Sequence, residues 1–202
     1  MEVCGLIKIF IYHNTFTNII MLHLTESNKP VGNQINQDLN ICIVKESING
    51  DKTWYYAKNI VTDDGDLFYA QQSIGETPTS DFDGASGRME LRTGSATPAK
   101  SDTYTSVTTP VTASRKIIDS TYPKTNDGDS DNTGAGTDIV TWRTSWTTSD
   151  FSATAIIGGC IHVGAASPVS GTKLLTHFSI TSFDKTTSDT LKIFVNHTFN
   201  GV

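Results

Sequence analysis

A period-two alternation of apolar and polar residues dominates the last third of the chain. Val140, Trp142, Thr144 and Trp146 fall on one side of an extended segment, and Thr141, Arg143 and Ser145 fall on the other. Ile157, Gly159, Ile161 and Val163 alternate likewise, followed by Leu174, Thr176, Phe178 and Ile180, and then by Leu191, Ile193, Val195, His197 and Phe199. Successive side chains of a strand point to opposite faces, so this period predicts four strands, each with at least one buried face. The segment Ala165–Gly171 reads as the turn between the second and third, and Lys185–Asp189 as a tight hairpin into the last.

Upstream the signals are shorter. Asn40–Lys45 and Thr53–Val61 are rich in β-branched and aromatic residues, and Asn49-Gly50-Asp51 between them marks a hairpin. One helix is predicted, with Asp63 as N-cap, Asp66 in the first turn, an apolar stripe of Leu67, Ala70 and Ile74, and Gly75 as the stop. Arg88–Thr93 and Ser114–Asp119 read as strands, whereas Thr121–Thr137 is too polar to bury anything and belongs on the surface. The fold class expected is mainly β: an antiparallel β-sandwich or jelly roll of about eight strands with one short helix, formed as a single domain by residues 38–202.

The first 37 residues stand apart. Met1 to Leu24 is the most apolar stretch, but Lys8, Asn14 and Asn18 interrupt it, leaving no run of about 18 apolar residues to cross a bilayer. Glu2 stands where a secretory signal carries basic residues, and no small-residue cleavage site follows. Met21 is an internal start candidate, so residues 1–20 read as an N-terminal extension and 21–37 as an arm leading into the domain.

Composition narrows the classes of partner. Of 202 residues 30 are Thr, and charged residues make up only 18%, with 15 Lys+Arg against 21 Asp+Glu for a net charge of -6. Such a chain, with no basic run, is a poor ligand for a phosphate backbone, which excludes nucleic acid as the expected partner. Cys4, Cys42 and Cys160 are odd in number and widely spaced, so they build neither a disulfide framework nor a zinc knuckle.

Candidate chemistry is sparse. Asp127, Asp129 and Asp131 occupy the first, third and fifth places of a calcium-type loop and Asp138 the twelfth, although Asn132 stands where such loops need glycine. His162, His177 and His197 sit on three late strands as a conceivable zinc triad without the usual ligand spacing. Cys160 and His162, two apart, share a strand face and are the sole candidates for a thiolate pair. Trp54, Tyr55, Tyr56, Trp142 and Trp146 would stack on sugar rings if exposed, and would pack a core if not. The Asn196-His-Thr198 sequon lies inside a predicted strand and reads as chance. No cofactor is expected beyond possible use of calcium by the acidic loop.

Several segments resemble structural proteins of tailed bacteriophage virions. They are Leu91–Thr103, with its Thr-Gly-Ser and Pro-centred loop ending in Asp-Thr, the Val140-Thr-Trp strand running to Ala153, Ile156–Gly164, Leu174–Phe178, and Phe183–Leu191. The resemblance covers roughly residues 38 to 202 and departs from the group's usual wording at Gly159-Cys-Ile-His. It implies a non-enzymatic β-sandwich in the virion, of the head-decoration or tail-accessory and fibre-base kind, partnered by further copies of itself and by other virion proteins. The alternative expectation is a receptor- or glycan-binding sandwich, assisted by calcium at Asp127, Asp129, Asp131 and Asp138.

Overall fold

The computed structural model describes residues 24–25, 40–82, 86–125, 138–164 and 168–199. Eleven strands occur among them: β1 (Leu24–Thr25), β2 (Ile41–Ser47), β3 (Lys52–Ala57), β4 (Asn59–Val61), β5 (Arg88–Arg92), β6 (Pro110–Ile117), β7 (Lys124–Thr125), β8 (Ile139–Trp146), β9 (Ala153–His162), β10 (Leu174–Lys185) and β11 (Asp189–Thr198). Eight of these are five residues or longer, in line with the sandwich of about eight strands expected from the sequence. They form two antiparallel sheets, one ordered β1-β3-β2-β11-β8-β7 and the other β4-β10-β9-β5-β6, packed as a β-sandwich.

The core is the layer between the sheets. Ile41, Ile43, Trp142, Trp146, Leu191, Ile193 and Val195 enter it from the first sheet, and Met89, Leu91, Ile161, Phe178 and Phe183 from the second. The register places Ile193 between Ile43 and Thr144, so the alternating sets of β2, β11 and β8 coincide on one face. A one-residue slip would turn every one of these side chains outward.

Two predicted elements have a different fate. Thr53–Val61 is not one strand: β3 ends at Ala57 in the first sheet, and β4 begins at Asn59 in the second, pairing with β10. The turn at Lys185–Asp189 is tight, with the Thr186 amide donating to Asp189 Oδ2 at 2.8 Å, but it is not a hairpin. It carries the chain from β10 in one sheet to β11 in the other. In both places the chain arches between layers, which a period-two pattern does not distinguish from a hairpin.

The helix α1 (Asp63–Ser73) is where the sequence places it, one residue displaced in its cap. Thr62 is the N-cap, its Oγ1 accepting from the Gly65 amide at 3.2 Å while the hydroxyl donates to the Leu174 carbonyl. The buried face is Gly65 and Phe68; Leu67 and Ile74 of the predicted stripe are 47% and 71% exposed. Contact decides this rotation. A Cβ on Gly65 would sit 2.2 Å from the Leu175 carbonyl oxygen, so only glycine lets the helix approach β10 this closely. Phe68 then meets Phe82 and Trp142, and Tyr69 Oη accepts from Trp142 Nε1 at 2.8 Å and contacts His197 Nδ1 at 2.5 Å. Through these contacts α1 bridges the two sheets.

Candidate functional site

Most of the groups with chemical potential meet on the outward face of the second sheet. Along β5, Arg88, Glu90 and Arg92 alternate with the core residues Met89 and Leu91, so all three charges point away from the core. Register then aligns Glu90 with Cys160 on β9, and Cys160 with His177 on β10, while His162 pairs with Arg88. Such a face is ordinarily wet. Here the connection between β5 and β6 folds back across it, bringing the 3₁₀ turn Tyr104–Ser106 and Val107 over Cys160 and Leu174.

The covering segment is tied down by polar contacts. Tyr104 Oη donates to Glu90 Oε2 at 2.8 Å, and Arg115 Nη2 donates to Glu90 Oε1 at 2.9 Å. His177 Nδ1 lies 2.7 Å from Asp102 Oδ2. Arg92 is fully buried; its Nη2 donates to Ser179 Oγ at 2.5 Å and to the Ala96 carbonyl at 3.1 Å, and its Nη1 donates to the Gly94 carbonyl. Gly158 is the space it needs, since a Cβ there would lie 2.7 Å from Arg92 Nε and 2.4 Å from the Phe178 carbonyl oxygen.

The electrostatics follow from this burial. Desolvation pushes the Cys160 thiol up, and the nearby Glu90 carboxylate adds to it, so the sulfur stays protonated and poorly nucleophilic. Desolvation holds His162 and His177 below the ordinary imidazole value despite the carboxylates of Glu90 and Asp102 beside them. His162 Nε2 is 3.6 Å from Glu90 Oε2, and its Nδ1 lies 2.9 Å from the Val163 carbonyl. The Asp102–His177 pair has the geometry by which a carboxylate orients a histidine base. The histidine side of the pair is shut off from solvent, because Cys160, His162 and His177 are each 0% exposed, while the Asp102 side chain keeps 11% exposure.

The predicted site residues therefore separate. Cys160, His162 and His177 come together on one face, but His197 lies on β11 in the other sheet against Tyr69, so the three histidines form no triad. Among the described residues no group of three His, Cys, Asp or Glu is placed to hold a metal ion. Asp127, Asp129 and Asp131 lie outside the described residues; Asp138 is exposed, and its carbonyl accepts from the Phe199 amide at 2.8 Å. Of the aromatics, Trp54, Tyr56, Trp142 and Trp146 are buried, and Tyr55 stacks on Phe183 at 5.0 Å, so none of them forms an exposed sugar platform. Asn196 of the sequon is buried and accepts from Thr141 Oγ1 at 2.7 Å.

Glu90, Arg92, Asp102, Tyr104 and Arg115 were not expected at a site. The one available signal was the charge alternation at 88, 90 and 92, which reads equally as a solvated face. At the rim of the sandwich a shallow groove of about 420 Å³ is lined by Ser80, Asp81, Ser86, Val163, Thr172 and Lys173, with no aromatic residue along it among the described residues. Among the described residues no helix is long and apolar enough to cross a membrane.

Comparison with protein-family models, curated proteins and solved structures finds no match to this chain.

The buried histidines make stability fall with acid. His197, fully buried, has its pKa pushed down to about 3 by desolvation. Above about pH 6.5 it is neutral in both folded and unfolded chains. As pH drops below that value, the unfolded chain takes up a proton that the folded protein refuses, so stability declines until about pH 3. His162 and His177 act in the same sense. The depressed carboxyls of Asp102, Asp150 and Asp189 contribute stability above about pH 4 that is lost below it. Urea unfolding between pH 7 and 4 should show this decline, and His197→Gln should flatten it by up to about 1.4 kcal/mol per pH unit. An unchanged slope would show that His197 is not held neutral.

Proposed function

We propose that this protein is a non-enzymatic structural component of a phage virion, associated with head or tail, that assembles through symmetric contacts between β-domains. The observation that carries this reading is the use made of its reactive side chains. Glu90, Arg115, Tyr104, Asp102 and His177 fasten a covering segment onto a sheet, and Cys160 and His162 are sealed beneath it. Groups spent in this way serve rigidity. The resemblance of Leu91–Thr103, Val140–Ala153 and Phe183–Leu191 to virion proteins points the same way, as does a Thr-rich surface of low charge, which suits a part that is soluble alone and associates in a closed assembly.

The test is the solution mass of the full chain, measured by light scattering over a wide concentration range with and without calcium. A calcium-independent trimer or larger closed ring is expected. A monomer at every concentration would overturn self-assembly, and an oligomer that forms only with calcium would favour the metal-assisted binding module over the virion component.

A further inference from the structure

The segment 93–109 covers much and packs little. It leaves β5 at Thr93, crosses the outward face of the second sheet over Cys160 and Leu174, and returns to β6 at Pro110. Of its own side chains only Val107 is buried, with Tyr104 packed beside it and partly exposed. The contacts that tie it down are polar. Asp102 meets His177, the Tyr104 hydroxyl donates to Glu90, the Tyr104 amide donates to the Thr172 carbonyl at 3.1 Å, and the Lys100 carbonyl accepts from the Asp63 amide at 2.8 Å. A segment with so few buried apolar contacts opens at a smaller free energy than the core beneath it. The amides of Thr93 and Gly94 donate to the Thr109 and Thr108 carbonyls at 3.1 and 3.2 Å, so its two ends are held together and it can swing as one flap.

The closed arrangement also leaves groups unsatisfied. Three buried nitrogens on the covered face, Arg92 Nε, His162 Nε2 and His177 Nε2, have no hydrogen-bond partner among the described residues. Lifting the segment would return them to water, which removes that penalty. At the hinge Thr109 takes φ +47°, a left-handed conformation that a β-branched residue rarely adopts. Strain of this kind gathers at elements that switch.

Acid acts on the same groups. His177 faces Asp102 of the segment, Arg92 of β5 and Cys160 of β9. Its Nδ1 is held by the Asp102 carboxylate, so protonation falls on Nε2, a buried atom with no acceptor among the described residues and near a guanidinium. His162 faces Glu90 and Arg88 of β5, Arg115 of β6 and Tyr104 of the segment, and the two guanidiniums oppose the pull of the carboxylate on a proton. Desolvation holds both imidazoles below the ordinary value while the segment is closed, outweighing the carboxylates beside them. In water they return to about 6.5. The open form therefore takes up protons that the closed form refuses, and below about pH 6.5 each histidine raises the open-to-closed ratio by up to about tenfold per pH unit. Asp102, held low in the closed form, acts in the same sense only below about pH 4.

We propose that residues 93–109 form an acid-released flap, which lifts from the second sheet as one unit while the two sheets stay packed. Cys160, sealed beneath it, reports opening, and Cys42, buried on the other sheet, reports unfolding. In the full chain carrying Cys4→Ser, the rate at which a disulfide reagent labels each thiol is divided by the rate in the urea-unfolded chain at the same pH, which removes the thiol's own pH dependence. Between pH 7.5 and 5 this ratio should rise by about tenfold or more for Cys160 and stay level for Cys42, as read by peptide mass spectrometry. An unchanged ratio for Cys160, or an equal rise for both thiols, would overturn the proposal.

His177→Gln keeps a donor for Asp102 and cannot be charged, so it should cut the acid response of Cys160 by about threefold or more. An undiminished response would overturn the proposal. If this variant exposes Cys42 at pH 7.5 it has unfolded, and Asp102→Ala, which alters only the flap, decides. Loss of the carboxylate should speed labelling of Cys160 at pH 7.5 while Cys42 stays protected. Unchanged labelling of Cys160 would show that this contact does not hold the flap, and exposure of both thiols would show that the flap opens only with the whole domain; either result would overturn the proposal.

Discussion

Replacing Glu90 by alanine is expected to lower the unfolding free energy by about 3–5 kcal/mol, the cost of removing one partner from a buried ion pair. Glu90 is 0% exposed, and its two oxygens receive Arg115 and Tyr104. Alanine would take the carboxylate from a guanidinium whose side chain is only 12% exposed, and the acceptor from the Tyr104 phenol. The loss should be partly reversed in the double variant Glu90→Leu with Arg115→Met, because a buried pair exchanged for apolar residues is often neutral in stability. Urea unfolding of the two single variants and the double gives the coupling directly. A single-variant loss below 1 kcal/mol would mean that water reaches the carboxylate and that the covering segment does not seal it.

Trp142→Ala should cost a similar amount, about 3–5 kcal/mol, from the transfer and cavity terms of deleting a large core side chain. A second effect distinguishes this residue from Trp146. Trp142 Nε1 donates to Tyr69 Oη and its ring packs on Phe68, whereas Trp146 Nε1 donates to the Ser114 carbonyl at 2.7 Å. Hydrogen exchange should therefore show the amides of α1 losing protection in Trp142→Ala, beyond the global destabilisation, and not in Trp146→Ala. Equal protection of α1 in the two variants would show that the helix is held by Gly65 and Thr62 alone. Trp142→Phe, which keeps most of the packing and loses the indole donor, should show a smaller version of the same local change, worth about 1 kcal/mol.

The β-sandwich was legible because strand signals are local: period-two alternation marks Val140–Trp146 and Leu191–Phe199, broken only by Thr144 and Phe194, and β-branched and aromatic runs mark the earlier strands. The helix was legible for the same reason, from Asp63, Asp64 and Asp66 at its start and Gly75 after its end. Its orientation was not. Leu67, Ala70 and Ile74 form the apolar stripe by spacing, but the face without a side chain at Gly65 is the one that docks, and Phe68 follows it inward.

The candidate site was half legible. Cys160 and His162 were placed on one face correctly, since two residues along a strand share a side. Their partners come from β5, β6 and β10 and from the segment that folds over them, and pairing among strands so distant in sequence leaves no local trace.

What the sequence by itself determined is which side chains share a face, where the chain turns, and that the protein is mainly β. Only the tertiary structure decided which faces are buried. Each sheet buries side chains on both of its faces: Glu90, Arg92 and His177 lie under a folded-back connection, and Trp54 and Phe194 are buried on the face opposite the core. Alternation assigns side chains to two sides of a strand, but burial depends on what the rest of the chain lays over each side. That is set by the crossings between layers at Lys58 and Lys185–Asp189 and by the fold-back of the β5–β6 connection over its own sheet, whose residues differ little in type from those of ordinary surface turns.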